Sequence, residues 1–113
     1  MLERTTRANL LYDFYGTLLS DKQKELFELY YHDDWSLGEI ADKYQLTRQG
    51  VYDNIKRSEK ALEEFEQKMG LYRLHLDKES IYTRMTEIIV SSSLSDEHRQ
   101  EMQQLLEKLQ MND

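Results

Sequence analysis

Polar and charged side chains suited to contacting nucleic acid are concentrated between residues 47 and 60. Lysine and arginine bind phosphate oxygens, while glutamine, arginine and tyrosine side chains can contact the bases. The candidate contact residues are Thr47, Arg48, Gln49, Tyr52, Asp53, Lys56, Arg57 and Lys60. Arg48 and Gln49 come first in a predicted helix, from where side chains reach furthest into a major groove. The segment therefore predicts a nucleic-acid-binding surface.

The charge of the chain limits how much of its surface can bind nucleic acid. The 113 residues carry a net charge of −7 at pH 7, and phosphate contacts require a positive surface. Of four successive segments, only residues 47–76 are net positive, with six basic residues against five acidic ones. A nucleic-acid partner, RNA or DNA, is therefore expected at this modest basic patch on an otherwise acidic protein.

The elements that must position these side chains form a predicted helix-turn-helix over residues 36–57. Ser36 and Glu39 are spaced as a capping box, in which each side chain binds the other residue's backbone amide at a helix start. The first helix is expected to end near Gln45, and Thr47 can cap the second. A short capped helix, a tight turn and a longer helix are the layout of a DNA-binding helix-turn-helix.

The apolar residues of this segment predict which face of the second helix is free. Ala41 is small where the two helices are expected to cross, and Leu46 is expected to plug the turn. Val51 and Ile55 are expected to fasten the second helix to the first. With these residues facing inward, the candidate contact residues face solvent.

The second helix is predicted to continue as one long helix to Leu76. Its inward positions follow spacings of four and three residues, the 3.5-residue repeat of a coiled-coil seam. They are Val51, Ile55, Ser58, Leu62, Phe65, Met69, Tyr72 and Leu76. Such a seam needs a partner, either the first helix of the same chain or the same helix of a second subunit. The length of the seam favours a homodimer.

The rest of the chain is predicted to be helical as well, so the expected fold class is all-α. The sequence has no proline and four glycines, so little in it forces a turn or a sheet edge. Apolar spacing predicts further helices over about residues 5–19, 21–32 and 81–89, and Ser95 is expected to cap a last helix. A break is expected at residues 77–80. We therefore expect a helix-turn-helix domain at residues 1–76 and a C-terminal helical extension at residues 77–113.

The sequence contains no pattern that indicates an enzyme or a cofactor. It lacks cysteine, a glycine-rich phosphate loop and a nucleophile paired with a base. His75 and Glu79 have a one-turn spacing, but two ligands do not make a metal site. The amino terminus lacks the apolar segment of a signal peptide, and no membrane span is predicted. We expect a cytoplasmic protein that is not an enzyme and binds no cofactor or metal.

Residues 36–57, with residues 19–23 in front of them, resemble the promoter-binding region 4 of bacterial sigma factors. The chain is more similar still to the YlxM-like family of small helix-turn-helix proteins. The resemblance rests on the segments YDFY, LLSDKQ, SLGEIADKY and TRQGVYDNIKRSEK and covers about residues 5–76. It implies an accessory role with the signal recognition particle, the ribonucleoprotein that targets nascent chains to the membrane, through contact with its RNA or its GTPase.

Two positions depart from the sigma-type pattern. Gln45 stands in the turn where glycine, which adopts a left-handed backbone at no cost, is usual, so the turn is expected to be slightly strained or differently shaped. Gly50 lies inside the second helix, where it costs about 1 kcal/mol of helix stability but lets a backbone or a nucleic acid come close.

Three functions are compatible with these observations. An accessory factor of the signal recognition particle would contact the RNA or the GTPase through the basic patch. A DNA-binding transcription regulator would use the same patch on promoter DNA. A helical adaptor would use its apolar seams for protein contacts and would bind no nucleic acid.

Overall fold

The structure describes residues 2–112, with side chains described for residues 7–112, and their regular elements are all helices. In the computed structural model the helices are α1 (Leu2–Tyr15), α2 (Asp21–Tyr31), α3 (Leu37–Tyr44), α4 (Arg48–Met69), α5 (Leu71–Ser91) and α6 (Asp96–Met111). A 3₁₀ turn at Gly16–Leu18 follows α1. Residues 2–112 contain no strand, which confirms the all-α fold class. None of these helices is long and apolar enough to cross a membrane.

The described chain divides into two compact units, with the boundary between Tyr72 and Arg73. In the first unit, α4 packs against α1, α2 and α3 around one apolar core. Its most deeply buried apolar residues are Leu11, Tyr15, Leu26, Phe27, Ile40, Val51 and Leu62. Burial of each such side chain stabilises the folded state by about 1.5 to 3 kcal/mol. The core therefore holds α4 against α1, α2 and α3.

The seam of α4 belongs to this core. Val51, Ile55 and Leu62 are buried, and so is Ser58, the one polar residue of the predicted repeat. The Ser58 hydroxyl donates a hydrogen bond to the carbonyl of Asn54 at 3.2 Å, which satisfies its polar group inside the core. Of the two partners predicted for the seam, helices of the same chain cover it from Val51 to Phe65, whereas Met69 and Leu76 are 48% and 51% exposed.

The predicted continuation of α4 to Leu76 is wrong. The helix ends at Met69, and Gly70 adopts a left-handed conformation with a φ of 63°. The Gly70 amide donates to the carbonyl of Glu66 at 2.8 Å, which closes the helix end. Glycine adopts this backbone without steric cost, so Gly70 ends the helix that the apolar repeat predicted to continue.

The predicted break at residues 77–80 is also wrong, because α5 runs through them without interruption. The start of α6 agrees with the sequence. The hydroxyl of Ser95 accepts a hydrogen bond from the amide of His98 at 3.2 Å, as its capping position predicted.

The second unit has a small core of Tyr82 and Ile89 from α5 and Leu106 from α6. Arg99 closes the connection between the two helices. Its guanidinium donates hydrogen bonds to the backbone carbonyls of Ile89, Ser92 and Leu94, at distances of 3.0 to 3.3 Å. One side chain therefore binds a carbonyl in the last turn of α5 and two carbonyls of the connection that follows.

Candidate nucleic-acid interface

The turn between α3 and α4 is built around Gln45. At the start of α3, the Ser36 hydroxyl accepts from the amide of Glu39 at 3.1 Å, and the Glu39 carboxylate accepts from the amide of Ser36 at 3.0 Å. At the other end, Gln45 has a φ of 54°, and the amide of Leu46 donates to the carbonyl of Ala41 at 2.9 Å. This is the Schellman helix end with glutamine where glycine is usual. The predicted capping box is present, and of the two outcomes expected for the turn, the structure has the left-handed residue at Gln45.

The expectation that Leu46 plugs the turn is wrong. Leu46 is 40% exposed, whereas Ala41, Val51 and Ile55 are buried as predicted. A hydrogen bond from the backbone amide of Leu46 to the carbonyl of Ala41 closes the turn, and the Leu46 side chain lies at the surface.

Thr47 caps the start of α4. Its hydroxyl accepts a hydrogen bond from the amide of Gly50 at 2.9 Å. A Cβ atom built on Gly50 would lie 3.0 Å from the same hydroxyl oxygen, which is tighter than most real contacts. Gly50 therefore leaves room for the cap that fixes the start of α4.

The candidate contact residues lie on the solvent side of α4 and its cap. All of them are exposed, whereas Val51 and Ile55 between them are buried. At 100° per residue, Gln49, Asp53 and Lys60 lie opposite the buried side, with the others flanking them. We call this surface the α4 outer face; it consists of Thr47, Arg48, Gln49, Tyr52, Asp53, Lys56, Arg57 and Lys60.

Contacts within the α4 outer face link several of its side chains. Nε2 of Gln49 donates a hydrogen bond to Oδ1 of Asp53 at 2.9 Å. Nζ of Lys56 lies 3.2 Å from Oε2 of Glu59 and 5.5 Å from the centre of the Tyr52 ring. The lysine and arginine side chains of the face can therefore bind phosphate groups. Gln49, whose amide is best suited to bind the edge of an adenine, is already hydrogen-bonded to the Asp53 carboxylate.

Arg48 lies beside the first turn of α3. A Cβ atom built on Gly38 would be 3.7 Å from Nε and 3.9 Å from Cδ of Arg48. The Arg48 side chain, at the start of α4, therefore lies next to the first helix of the helix-turn-helix. This proximity could not be predicted from the sequence, because Gly38 carries no side chain that would suggest a partner.

A hollow of about 90 Å³ opens beside the α4 outer face. It is lined by Tyr30, Tyr31, Leu37, Tyr52, Ile55, Lys56 and Glu59. The Tyr31 hydroxyl donates a hydrogen bond to the Glu59 carboxylate. Burial raises the pKa of the Glu59 carboxyl above its ordinary value. The Lys56 and Glu59 spacing was visible in the sequence, but nothing local pointed to Tyr31.

Comparison with known proteins finds close relatives in Bacillus and Listeria. The family described as "Putative helix-turn-helix protein, YlxM / p13 like" matches residues 2–109. The UPF0122 protein YlxM of Bacillus subtilis is 46% identical over 108 residues, which are 96% of this chain and 97% of that protein. A UPF0122 protein of Bacillus pumilus is 49% identical over 96 residues, which are 85% of this chain and 87% of the relative. The chain therefore belongs to the YlxM / p13-like family of helix-turn-helix proteins.

Proposed function

We propose that this protein is a regulatory or accessory protein that binds nucleic acid through the α4 outer face. The observation that carries the proposal is the exposure of four cations, Arg48, Lys56, Arg57 and Lys60, on a helix whose other side is core. A helix held in this way keeps its cations at fixed spacing, which lowers the entropic cost of ordering them on phosphates. The whole surface lies in the predicted helix-turn-helix domain, residues 1–76.

Contacts to phosphate are favoured over contacts to base edges. Gln49 is hydrogen-bonded to Asp53, and Asp53 puts a negative charge in the middle of the α4 outer face. That charge repels phosphate and opposes deep insertion into a groove. The exposed ring of Tyr52 lies between Arg48 and Lys56 and can stack on an unpaired base. This combination suits a folded RNA with unpaired loops better than a duplex.

Within this function we propose the signal recognition particle as the partner, through its RNA or its GTPase. The resemblance to YlxM-like proteins supports this partner, and the basic α4 outer face supports contact with the RNA. Unpaired loops of an RNA present unstacked bases next to phosphates. Cations flanking an exposed tyrosine match that chemistry.

Fluorescence anisotropy with labelled signal recognition particle RNA tests the proposal. We expect binding at low salt and a log–log salt slope of about −3, because four cations neutralise about four phosphates. Changing Arg48, Lys56 and Arg57 together to glutamate should abolish binding. The control Lys68→Glu, near the end of α4, should bind like the wild type. Unchanged binding by the triple variant would show that the α4 outer face does not bind the RNA.

A DNA-binding transcription regulator is the second candidate, favoured by the helix-turn-helix layout of α3 and α4. It predicts that a short promoter duplex binds more tightly than the RNA and that scrambling the promoter sequence weakens binding. The same titrations distinguish the two. If the protein binds neither nucleic acid at low salt but retains the GTPase of the particle, it is a protein-binding adaptor and the nucleic-acid proposal is wrong.

A further inference from the structure

A stripe of exposed apolar side chains runs along each helix of the second unit. The stripes consist of Leu74, Ile81, Met85 and Ile88 on α5 and of Met102, Leu105 and Leu109 on α6. Each of these residues is between 38% and 56% exposed. Spacings of three, four and seven residues place the members of each stripe on one side of their helix. Contiguous apolar surface of this kind marks an interaction site, whereas single exposed apolar residues do not.

The two stripes lie on the same side of the hairpin that α5 and α6 form. Leu106, well inside α6, shares a core with Tyr82 and Ile89, so α6 folds back along α5 after residues 92–95. Successive residues of a helix are rotated by 100° about its axis. Viewed along the chain direction, the stripe of α5 and the stripe of α6 are each rotated by roughly 70° to 80° from the buried residues of the same helix, and both rotations have the same direction. Because the helices run in opposite directions, equal rotations bring both stripes to one side. We call this surface the hairpin face.

The hairpin alone buries little apolar surface. Its core consists of Tyr82, Ile89 and Leu106, while more apolar side chains of the same helices stay exposed. Helical units of about 40 residues usually need support from oligomerisation or another partner. A partner needed for stability must be present whenever the chain is, and a second copy meets that condition. Two hairpins packed face to face form a four-helix bundle that covers both stripes.

Charges beside the stripes match in such a bundle. Asp77 and Arg84 flank the stripe of α5, and Glu101 and Lys108 flank the stripe of α6; the members of each pair are seven positions apart. A twofold axis parallel to the helices places α5 of one copy beside α6 of the other. Since α5 and α6 run in opposite directions, Asp77 then lies toward the same end of the bundle as Lys108 of the second copy. Arg84 likewise lies toward the end that holds Glu101 of the second copy.

We propose that the hairpin face is a homodimer interface at which two copies of the chain form a four-helix bundle. The interface differs from the α4 seam, which the sequence suggested for a dimer and which α1, α2 and α3 cover from Val51 to Phe65 in one chain. The proposal is independent of nucleic-acid binding, because the α4 outer face lies in the first unit.

Size-exclusion chromatography with light scattering on the full chain tests the interface. The wild type is expected at twice the 13.7 kDa of one chain. Ile81→Lys or Leu105→Lys should weaken dimerisation by about tenfold or more, since a charge would be buried in the bundle. Val90→Lys is the matched control, because Val90 is 59% exposed but lies half a turn from Ile81 and outside the hairpin face. Its mass should equal that of the wild type.

A charge exchange tests the same interface where apolar variants fail to fold. Arg84→Glu should weaken the dimer, and Arg84→Glu combined with Glu101→Arg should restore it. A wild type at the mass of one chain at every concentration would overturn the proposal and assign the hairpin face to a different protein. A dimer insensitive to Ile81→Lys would overturn it as well. Failure of the double variant to recover would overturn the twofold arrangement that places α5 beside α6.

Discussion

The hydroxyl of Tyr15 in α1 donates a hydrogen bond to Oε1 of Glu66 in α4 at 2.6 Å and accepts one from the amide of Leu71 at 2.9 Å. The same Glu66 oxygen accepts a hydrogen bond from the amide of Tyr72 at 3.0 Å. Amides in the first turn of a helix have no partner within that helix. The break at Gly70 is therefore stabilised by two side chains that satisfy the first amides of α5.

Removal of the Tyr15 hydroxyl should destabilise the first unit. Tyr15→Phe keeps the ring in the core but leaves the Leu71 amide and the Glu66 carboxylate without this partner. We expect a loss of about 1 to 2 kcal/mol in the free energy of unfolding, measured by urea denaturation. Tyr52→Phe, at an exposed position, should change it by less than about 0.5 kcal/mol. Equal stabilities of the two variants would show that the Tyr15 bonds contribute nothing net.

Gln45 is a site where glycine should stabilise the protein. Its φ of 54° costs a residue with a side chain more than it costs glycine. Gln45→Gly is expected to raise the free energy of unfolding by about 0.5 to 1 kcal/mol. The control Gln67→Gly, inside α4, should lower it by about 1 kcal/mol. Thermal unfolding measures the stability of both variants relative to the wild type. A lower stability of Gln45→Gly would show that the left-handed backbone at Gln45 is not strained.

Thr47 and Gly50 should be energetically coupled through the cap of α4. Thr47→Ala alone should cost about 1 kcal/mol, because the Gly50 amide loses its acceptor. Gly50→Ala in the wild type gains helix propensity but crowds the Thr47 hydroxyl 3.0 Å away, so little net change is expected. In the Thr47→Ala background that crowding is absent, and Gly50→Ala should then stabilise by about 1 kcal/mol. A double-mutant cycle by urea denaturation measures the coupling, and strict additivity would argue against it.

Asp53 should limit the affinity of the α4 outer face for nucleic acid. Asp53→Asn removes the central negative charge and weakens the hold on Gln49, so binding to RNA at low salt should tighten by up to about fivefold. The gain should shrink as salt is raised, since exposed charges are screened. Asp13→Asn, an exposed change of the same kind in α1, is the control. Anisotropy titrations showing equal gains for both variants would mean that only net charge matters.

Glu59 should make the protein less stable as the pH rises from acidic to neutral. Burial raises the pKa of its carboxyl in the folded protein, so the folded state favours the protonated form. The stability gained from that form is fully present below the unfolded pKa and is lost as pH rises through the folded pKa. Glu59→Gln stays neutral and keeps an acceptor for the Tyr31 hydroxyl. The melting temperature of this variant minus that of the wild type should therefore increase from acidic to neutral pH; a decrease would show that Lys56 dominates.

The sequence by itself determined the features that depend on residues a few positions apart. Ser36, Thr47 and Ser95 cap their helices as predicted, because each cap bonds to an amide three residues ahead. The exposure of the α4 outer face followed from the buried positions of Val51 and Ile55, since helical geometry places both sides of a helix at once. The left-handed turn at Gln45 was one of the two outcomes expected from comparison with the sigma-type pattern, and the sequence did not decide between them.

Only the tertiary structure decided the features that join distant positions. Tyr15 and Glu66 are 51 residues apart, and Tyr31 and Glu59 are 28 apart, so no periodicity relates them. The apolar repeat of α4 continued past Gly70 in the sequence, but the helix did not, because the bonds of Tyr15 and Glu66 stabilise the start of α5 there. The spacing of apolar residues in the sequence shows which side of a helix is apolar. What covers that side depends on how the helices pack, and packing is a property of the whole chain.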